Sequence, residues 1–406
     1  MYDHPSQLEP LLPRDSQADQ VLGMAHDLRT EAARLTGFCQ SGVSQELARL
    51  LRSMNSYYSN KIEGEHTRPL EIERALLRDF SADAEKARLQ RLAVAHIATE
   101  QWVHEQPVGV AESYSQGYLR EIHRHLFGQL SDVDRAVRLY DSEGKVTEEL
   151  TVTPGEIRAR EVRIKKHVAP AAAALPAMLQ RWSTVYGTTR RGELQIVAAA
   201  AAHHRLVWIH PFLDGNGRVA RLHSLAVLGA LELTGGLWSP LRGLARQADR
   251  YSERLGNADM PRQGDLDGRG QLSERMLLEW IEFFLGICLD QVRFMSRMLN
   301  LPEMQGRLAA LLAHEEHVVR RGLRMQALRP LHYLFATQGE ISRGDFASMT
   351  GLGERTATTL IGKLLDAGLL RSDSPRGLVR FGIPLGSLRF LFPSLWPEAE
   401  ADAAGG

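Results

Sequence analysis

The sequence predicts a mainly α-helical protein, and three observations support that prediction. Apolar residues recur at spacings of three and four along most of the chain, which is the period of an amphipathic helix. Stretches of strict apolar and polar alternation, the mark of half-buried strands, are few. The chain has 406 residues, of which 44% are hydrophobic, so we expect two or three domains with cores of their own.

The predicted helices follow one another along the chain. Residues 1 to about 20 are polar and are expected to be loose. The next clear helix covers about 44–63, where Gly64 is its C-terminal stop and one apolar stripe holds Leu47, Leu50, Leu51 and Met54. β-Branched residues around Pro154 and Gly155 predict a small hairpin within 151–168. Later helices are predicted at about 170–186, 193–208, 217–233 and 273–299.

The C-terminal part differs in character from the rest. Residues 306–395 contain short helices followed by LLRSDSPRGLVRF, which predicts a strand, a turn and a strand. This order is typical of a winged-helix domain, whose third helix would present Arg355, Thr356 and Thr359 to DNA. The segment has 12 Lys or Arg and 7 Asp or Glu, a weak excess that suits protein docking or dimerisation equally well. The tail at 396–406, WPEAEADAAGG, is expected to be disordered.

Composition and charge exclude several classes of protein. The 49 Lys and Arg balance 49 Asp and Glu, so no net charge draws the chain to nucleic acid or a membrane. No apolar run approaches the roughly 18 residues that cross a bilayer, and the first residues do not resemble a secretory signal. Cys39 and Cys288 are expected to be buried thiols in a reducing compartment. We therefore expect a cytoplasmic protein without a membrane partner.

Residues 210–221, HPFLDGNGRVAR, concentrate chemical groups between two apolar helices. Pro211 ends the first helix and favours an extended His210, while DGNG begins the second helix, whose free amides attract anions. Gly215 and Gly217 let the backbone approach a phosphate. This pattern indicates phosphoryl or nucleotidyl chemistry, for which the side chains suggest roles: His210 as a general base, Asp214 as a Mg²⁺ ligand, and Arg218 with Arg221 as a phosphate fork.

Two other interpretations fit parts of this stretch. GNGRVA fits the G-x-G-x-x-A form of the dinucleotide-binding fingerprint, but that fingerprint needs a preceding strand, and a helix is predicted here. The stretch also fits a structural loop with a satisfied histidine and surface arginines. The sequence contains no G-x-x-x-x-G-K-[ST] phosphate loop.

HPFLDGNGRVAR resembles the signature of the Fic family, H-P-F-x-D-G-N-G-R-x-x-R, at every fixed position. PGEIR at 154–158 resembles the Gly-x-x-Arg entry of the family's flap, a hairpin that pairs with the target's backbone. In this chain only VRIKKHVAP separates the flap entry from the next helix, so Lys165 and Lys166 would form a short tip. The resemblance implies a helical core that transfers AMP from Mg-ATP to a hydroxyl side chain, Tyr, Thr or Ser, of a target protein.

The resemblance also implies roles for individual residues. His210 would deprotonate the target hydroxyl and Asp214 would bind Mg²⁺. Arg218 would hold phosphates, and Arg221 the γ-phosphate. Asn216 and the loop amides would hold the α-phosphate. The rest of the nucleotide site would include Phe212, Gly215 and Gly217.

SNKIEG at 59–64 resembles the S-x-x-x-E-G inhibitory motif of self-restrained Fic proteins. There the glutamate, here Glu63, pairs with the second motif arginine, here Arg221, and obstructs the γ-phosphate; Ser59 is the other fixed residue of the motif. From its position alone, Glu63 is better explained as a solvated surface glutamate in a last helical turn, where the helix dipole disfavours negative charge.

Three further stretches of the sequence contain polar residues that suit either a binding role or a structural one. Tyr251 and Asn257 either line an adenine pocket or are ordinary helix residues, and His203 and His204 suit packing better than ligation. RQGDLDGRGQLSE at 262–274 hints at a calcium loop but lacks its ligand spacing, so we interpret it as a turn with Ser273 as a helix N-cap.

The sequence therefore predicts an autoinhibited protein adenylyltransferase, with auto-modification included. Its domains would be a helical region at 1–100 with the inhibitory motif, a Fic core at 101–300, a winged helix at 306–395 and the tail. Two alternatives remain open: a winged-helix transcription regulator whose core only senses nucleotide, and an enzyme that removes AMP with Glu63 aligning a water. A homodimer is compatible with either.

Overall fold

The computed structural model describes residues 2–38, 45–140, 146–164 and 167–399. Within these ranges the chain is mainly helical, as predicted. Cys39, Lys165 and Lys166 lie outside the described residues, whereas Cys288 is fully buried.

The N-terminal region is a layer of helices packed against the core. These are α1 (Asp19–Phe38), α2 (Gln45–Ile62), α3 (Pro69–Leu76) and α4 (Ala84–Glu105). Helix α2 has the predicted bounds within a residue, and its apolar stripe is buried against α4. The expectation that the first 20 residues are loose is wrong, because Leu8 and Leu11 are buried and Arg14 forms an ion pair with Glu274 at 2.7 Å.

The core is built around a helix that is buried on nearly all sides. Its helices are α5 (Val110–Ser113), α6 (Gln116–Gly128), α7 (Leu175–Gly187), α8 (Glu193–Ile209), α9 (Asn216–Ala230), α10 (Leu241–Arg246), α11 (Ala248–Ala258) and α12 (Glu274–Met298). Helix α8 carries the alanine run, whose small side chains let α1, α7, α9 and α12 all pack on it. The helices predicted at 193–208, 217–233 and 273–299 correspond to α8, α9 and α12 within three residues at each end.

Two small antiparallel hairpins lie between α6 and α7. The first pairs β1 (Ala136–Tyr140) with β2 (Val146–Thr151), and the second pairs β3 (Arg163–Ile164) with β4 (His167–Val168). The predicted hairpin within 151–168 is present as β3 and β4, with two residues in each strand. The β1–β2 hairpin was not predicted, because its strands are short and mostly exposed and so lack a clear apolar alternation.

The C-terminal unit contains helices and a three-stranded antiparallel sheet. After α13 (Leu301–His314) the order is α14 (Leu328–Thr337), β5 (Glu340–Ile341), α15 (Arg343–Thr350), α16 (Glu354–Asp366), β6 (Leu370–Arg371), β7 (Val379–Phe381) and α17 (Leu388–Leu391). Strand β7 lies between β5 and β6. Helix α16 buries Ala357, Leu360 and Leu364, and it exposes Arg355, Thr356 and Thr359.

The first residues of the expected disordered tail are packed. Trp396 is fully buried and lies against Tyr57 of α2, with ring centroids 5.7 Å apart, and Ala399 is also buried. Glu398 accepts hydrogen bonds from Tyr58 Oη at 3.0 Å and Lys61 Nζ at 2.8 Å. The prediction of disorder from residue 396 is therefore wrong as far as residue 399, because the indole is buried against α2; residues 400–406 lie outside the described residues.

Candidate active site

The loop between α8 and α9 holds His210 in a left-handed conformation. Helix α8 ends at Ile209, and His210 has φ 51° and ψ 60°. The expectation of an extended His210 before Pro211 is therefore wrong: the residue serves as the left-handed cap that commonly ends a helix. This conformation is unfavourable for a residue with a side chain, so neighbouring contacts must maintain it.

A buried arginine supplies those contacts. The Nε of Arg158 donates to the carbonyl of His210 at 2.8 Å, and the backbone N–H of Arg158 donates to the carbonyl of Pro211 at 2.9 Å. Its other two guanidinium nitrogens donate to the carbonyls of Arg160 and Pro170. The guanidinium thus joins the two ends of the hairpin segment to the backbone of His210.

His123 joins the segment before the β3–β4 hairpin, at Gly155, to the later part of the α8–α9 loop, at Asp214. Its Nδ1 accepts the N–H of Gly155 at 2.8 Å, so its Nε2 carries the proton that faces the carbonyl of Asp214 at 3.3 Å. The ring stacks on Phe212 with centroids 4.0 Å apart. Burial lowers the pKa of His123 to about 4, which keeps the ring neutral in this arrangement.

The loop is further fixed by Asn216 and Gly215. Asn216 Oδ1 accepts the N–H of Phe212 at 2.9 Å, and its Nδ2 donates to the carbonyl of Phe212 at 2.8 Å. Gly215 has φ 76°, and a Cβ there would overlap the ring of Phe127. The side chains of Asn216 and Phe212 thus serve the loop and the core, and any nucleotide contact by Asn216 stays a prediction.

The two arginines of the motif lie on the first turns of α9 and are both paired. Arg218 donates to Asp214 Oδ2 at 3.2 Å and to Glu65 Oε2 at 3.1 Å. Arg221 is fully buried and donates to Ser59 Oγ at 2.9 Å, to the carbonyl of Ser59 at 3.0 Å and to Glu63 Oε1 at 2.6 Å.

Glu63 therefore meets Arg221 across 158 positions of sequence, as the inhibitory motif implied. Burial alone raises the pKa of Glu63, but Arg221 and Arg218 outweigh it, so the pKa lies below its usual value and the carboxylate is charged. The position of the Glu63 carboxylate also requires a glycine at residue 217, because a Cβ there would overlap Glu63 Oε1.

Burial also determines the charge of His210. It lowers the pKa of His210 to about 4, with smaller contributions from His167 and Arg158. His210 is therefore neutral near pH 7 and able to accept a proton.

His167 on β4 anchors the hairpin beside α8. Its Nδ1 contacts Asp259 Oδ2 at 3.1 Å, and its Nε2 contacts the carbonyl of Trp208 at 2.9 Å.

The remaining predicted residues lie nearby with different surroundings. Tyr251 is buried, and its hydroxyl lies 2.9 Å from His203 Nε2; Asn257 is half-buried on the same helix. His203 and His204 are both buried and hydrogen-bonded within the core, as expected for packing histidines.

The stretch at 262–274 is a turn that leads into α12. Ser273 caps α12 and Asp267 accepts two backbone N–H groups, which confirms the turn and N-cap at 262–274.

The residues present suit a magnesium ion that is bound together with phosphates. Among the described residues, no three His, Cys, Asp or Glu side chains cluster as a metal site. Asp214 is 43% exposed beside the start of α9, and Mg²⁺ is commonly held by one carboxylate, water and substrate phosphates.

A neutral histidine, a carboxylate and two arginines thus lie together at the start of a buried helix, an arrangement that suits the binding of anions. Residues 113–228 match the family model described as Fic/DOC family. Within the described ranges, none of the helices has both the length and the apolar character needed to span a membrane.

Two curated relatives and one solved structure are similar to this chain. The chain is 29% identical over 175 residues to the protein adenylyltransferase Fic of Nematostella vectensis, covering 42% of this chain and 36% of that protein. It is 42% identical over 69 residues to the protein adenylyltransferase Fic of Drosophila grimshawi, covering 17% and 14%. The chain thus spans about a third or less of the length of these relatives. A Fic family protein from Desulfovibrio desulfuricans G20 has the same fold, with a TM-score of 0.51 at 18% identity over 89% of this chain and 96% of that one.

Proposed function

We propose that this chain is a protein adenylyltransferase that transfers AMP from Mg-ATP to a Tyr, Thr or Ser hydroxyl of a protein. The observation that carries the proposal is the loop itself, where neutral His210 lies between the hairpin and an anion-attracting helix start. The relatives named protein adenylyltransferase support the same reaction.

In the proposed reaction, His210 accepts the proton of the target hydroxyl while the hydroxyl oxygen attacks the α-phosphorus. The new bond joins that oxygen to the α-phosphorus, and the bond to the bridging oxygen of the β-phosphate breaks, so pyrophosphate leaves. Asp214 would hold Mg²⁺, which neutralises phosphate charge, and the amides at the start of α9 would orient the α-phosphate. Tyr251 and Asn257 are assigned to the adenine side of the site only as a proposal.

We further propose that Glu63 keeps the described state inactive. Arg221 is hydrogen-bonded to Ser59, Glu63 and Tyr251, so its guanidinium is not free to bind a γ-phosphate. The Oε1 of Glu63 also occupies the space beside Gly217 that a phosphate would approach. ATP that enters against this carboxylate would be displaced from in-line geometry, and a shift of about 1 Å can cost roughly a hundredfold in rate.

For the C-terminal unit we propose a winged-helix fold. The order of helix, strand, two helices and two strands supports it, as does the exposed face of α16. Its partner would be DNA or another protein, and a homodimer through this unit remains part of the proposal.

The test is auto-modification with labelled ATP and Mg²⁺. Glu63→Gly removes the carboxylate and should raise the rate of AMP transfer roughly tenfold to a thousandfold over the unmodified sequence. Glu63→Gln should act in the same direction if charge is the cause.

The control is the double variant Glu63→Gly/His210→Ala, which should be silent because released inhibition cannot replace the base. A Glu63→Gly chain that labels no faster than the unmodified sequence would count against autoinhibition. Labelling that survives His210→Ala would count against the catalytic assignment.

A further inference from the structure

A second carboxylate reaches the nucleotide site from the same end of α2 as Glu63. Gly64 adopts a left-handed conformation with φ 76°, and the N–H of Glu65 donates to the carbonyl of Asn60 at 2.9 Å. This helix stop turns the chain so that Glu65, like Glu63, points toward α9. Glu65 Oε2 lies 3.1 Å from Arg218 Nη1, and Glu65 Oε1 lies 3.0 Å from Arg88 Nη1.

Arg218 has the surroundings of an anion-binding residue. Only 5% of its side chain is exposed. Its Nη2 faces Asp214 and its Nη1 faces Glu65, while its buried Nε has no acceptor among the described residues. A buried guanidinium donor without a partner is costly, and a phosphate oxygen would satisfy it.

We propose that Glu65 is a second inhibitory carboxylate, which occupies Arg218 as Glu63 occupies Arg221. The inference rests on the proposed nucleotide site and extends it, because both arginines of the motif are then withheld from the phosphates. Each carboxylate also adds negative charge where a triphosphate must enter, so the two act in the same direction on nucleotide affinity.

Because of this geometry, a single movement can separate both carboxylates from their arginines. Glu63 and Glu65 flank Gly64, and both belong to the stop of one helix, so a movement of this stop frees both arginines together. Replacement of Glu63 alone leaves Glu65 on Arg218. We therefore expect a Glu63→Gly variant to retain part of the inhibition.

A purely structural role for Glu65 has a different signature. Glu65 also pairs with Arg88 of α4, which is held in addition by Glu85 at 2.7 Å. If Glu65 served only to fasten α2 to α4, removal of Arg88 would have the same effect as removal of the carboxylate. Arg88→Met removes the ion pair between Glu65 and Arg88 and leaves the pair between Glu65 and Arg218 in place, so it is the matched control.

The experiment measures the Kd of Mg-ATP by titration calorimetry in the full chain with His210→Ala, which prevents turnover. Glu63→Gly is compared with Glu63→Gly/Glu65→Gln and Glu63→Gly/Arg88→Met, each first checked for a cooperative thermal transition. We expect Glu65→Gln to tighten Mg-ATP binding about twofold to fivefold beyond Glu63→Gly, the range for a partly exposed ion pair. Arg88→Met should leave the Kd unchanged.

Two results would overturn the inference alone: equal Kd values with and without Glu65→Gln, or equal tightening by Arg88→Met. Failure of every variant to bind Mg-ATP would overturn the proposed nucleotide site, and the inference with it. These outcomes are distinct, because the first two require measurable binding.

Discussion

His210 combines a rare backbone conformation with a strongly lowered pKa, and both come from its neighbours. Arg158 holds its carbonyl in the left-handed turn, and burial disfavours its charged form. A general base is most useful when it is deprotonated at the working pH and close to the proton that it accepts. The surroundings of His210 thus secure its protonation state and its position with the same buried contacts.

The lowered pKa predicts the acid side of the pH profile. A protonated His210 cannot accept the target's proton, so activity should fall as the pH decreases through its pKa of about 4. The profile of kcat/KM for auto-modification by Glu63→Gly should therefore stay level down to about pH 5, well below the 6.5 of an ordinary histidine. A decline centred near pH 6.5 would contradict the assignment, and the thermal transition measured across the same pH range controls for unfolding.

Sequence and structure agree best where the chemistry is local. His210, Asp214, Arg218 and Arg221 were predicted because they share one continuous stretch, and Glu63 because a second short pattern pointed to it. The contact of Glu65 was not predicted, since it joins residues 153 positions apart. The same holds for His123 with Asp214 and for Arg158 with His210, at 91 and 52 positions.

At the scale of elements, α2 is held by the C-terminal part of the chain at both of its ends. Arg371 on β6 lies 3.8 Å from Glu46 at the start of α2. Glu398 pairs with Lys61 in the last turn, two residues before Glu63. Arg242 of α10, which packs on α2, donates to the carbonyls of Ser394 and Leu395. The helix that positions Glu63 thus depends on residues far C-terminal to the family match at 113–228.

We predict that weakening this contact raises activity. Glu398→Gln removes the charge that Lys61 and Tyr58 share, which should loosen the last turn of α2 and raise the rate of auto-modification about twofold to fivefold. The control is Glu303→Gln, which removes the carboxylate that pairs with Arg307 on α13, away from α2; the Glu303 side chain is 52% exposed, against 32% for Glu398. Equal rates for the two variants would contradict the prediction.

Elements were predictable where their apolar pattern was strong. Helices α2, α8, α9 and α12 followed from spacing alone, because each buries a wide apolar face. The β1–β2 hairpin was missed because its short, mostly exposed strands lack a clear apolar alternation. The packing of Trp396 was missed because its partner Tyr57 is distant in sequence and the residues around Trp396 are polar.

At the scale of the whole molecule, the proposed winged helix makes a prediction of its own. If α16 enters a DNA groove, the affinity of the full chain for duplex DNA should fall steeply with salt, because phosphate contacts release counterions. Arg355→Ala should weaken binding and reduce the salt slope by about one. Arg34→Ala, at an exposed arginine on α1, is the control. Absence of binding at low salt would favour a protein partner.

The contacts between the C-terminal unit and α2 have a thermodynamic consequence. If a molecule that binds this unit loosens α2 and so tightens the binding of Mg-ATP, then Mg-ATP must tighten the binding of that molecule by the same factor, because binding free energies couple reciprocally. The proposed nucleotide site then becomes a means of finding that partner. A chain saturated with Mg-ATP, in the His210→Ala form, would bind the partner more tightly than the same chain without nucleotide.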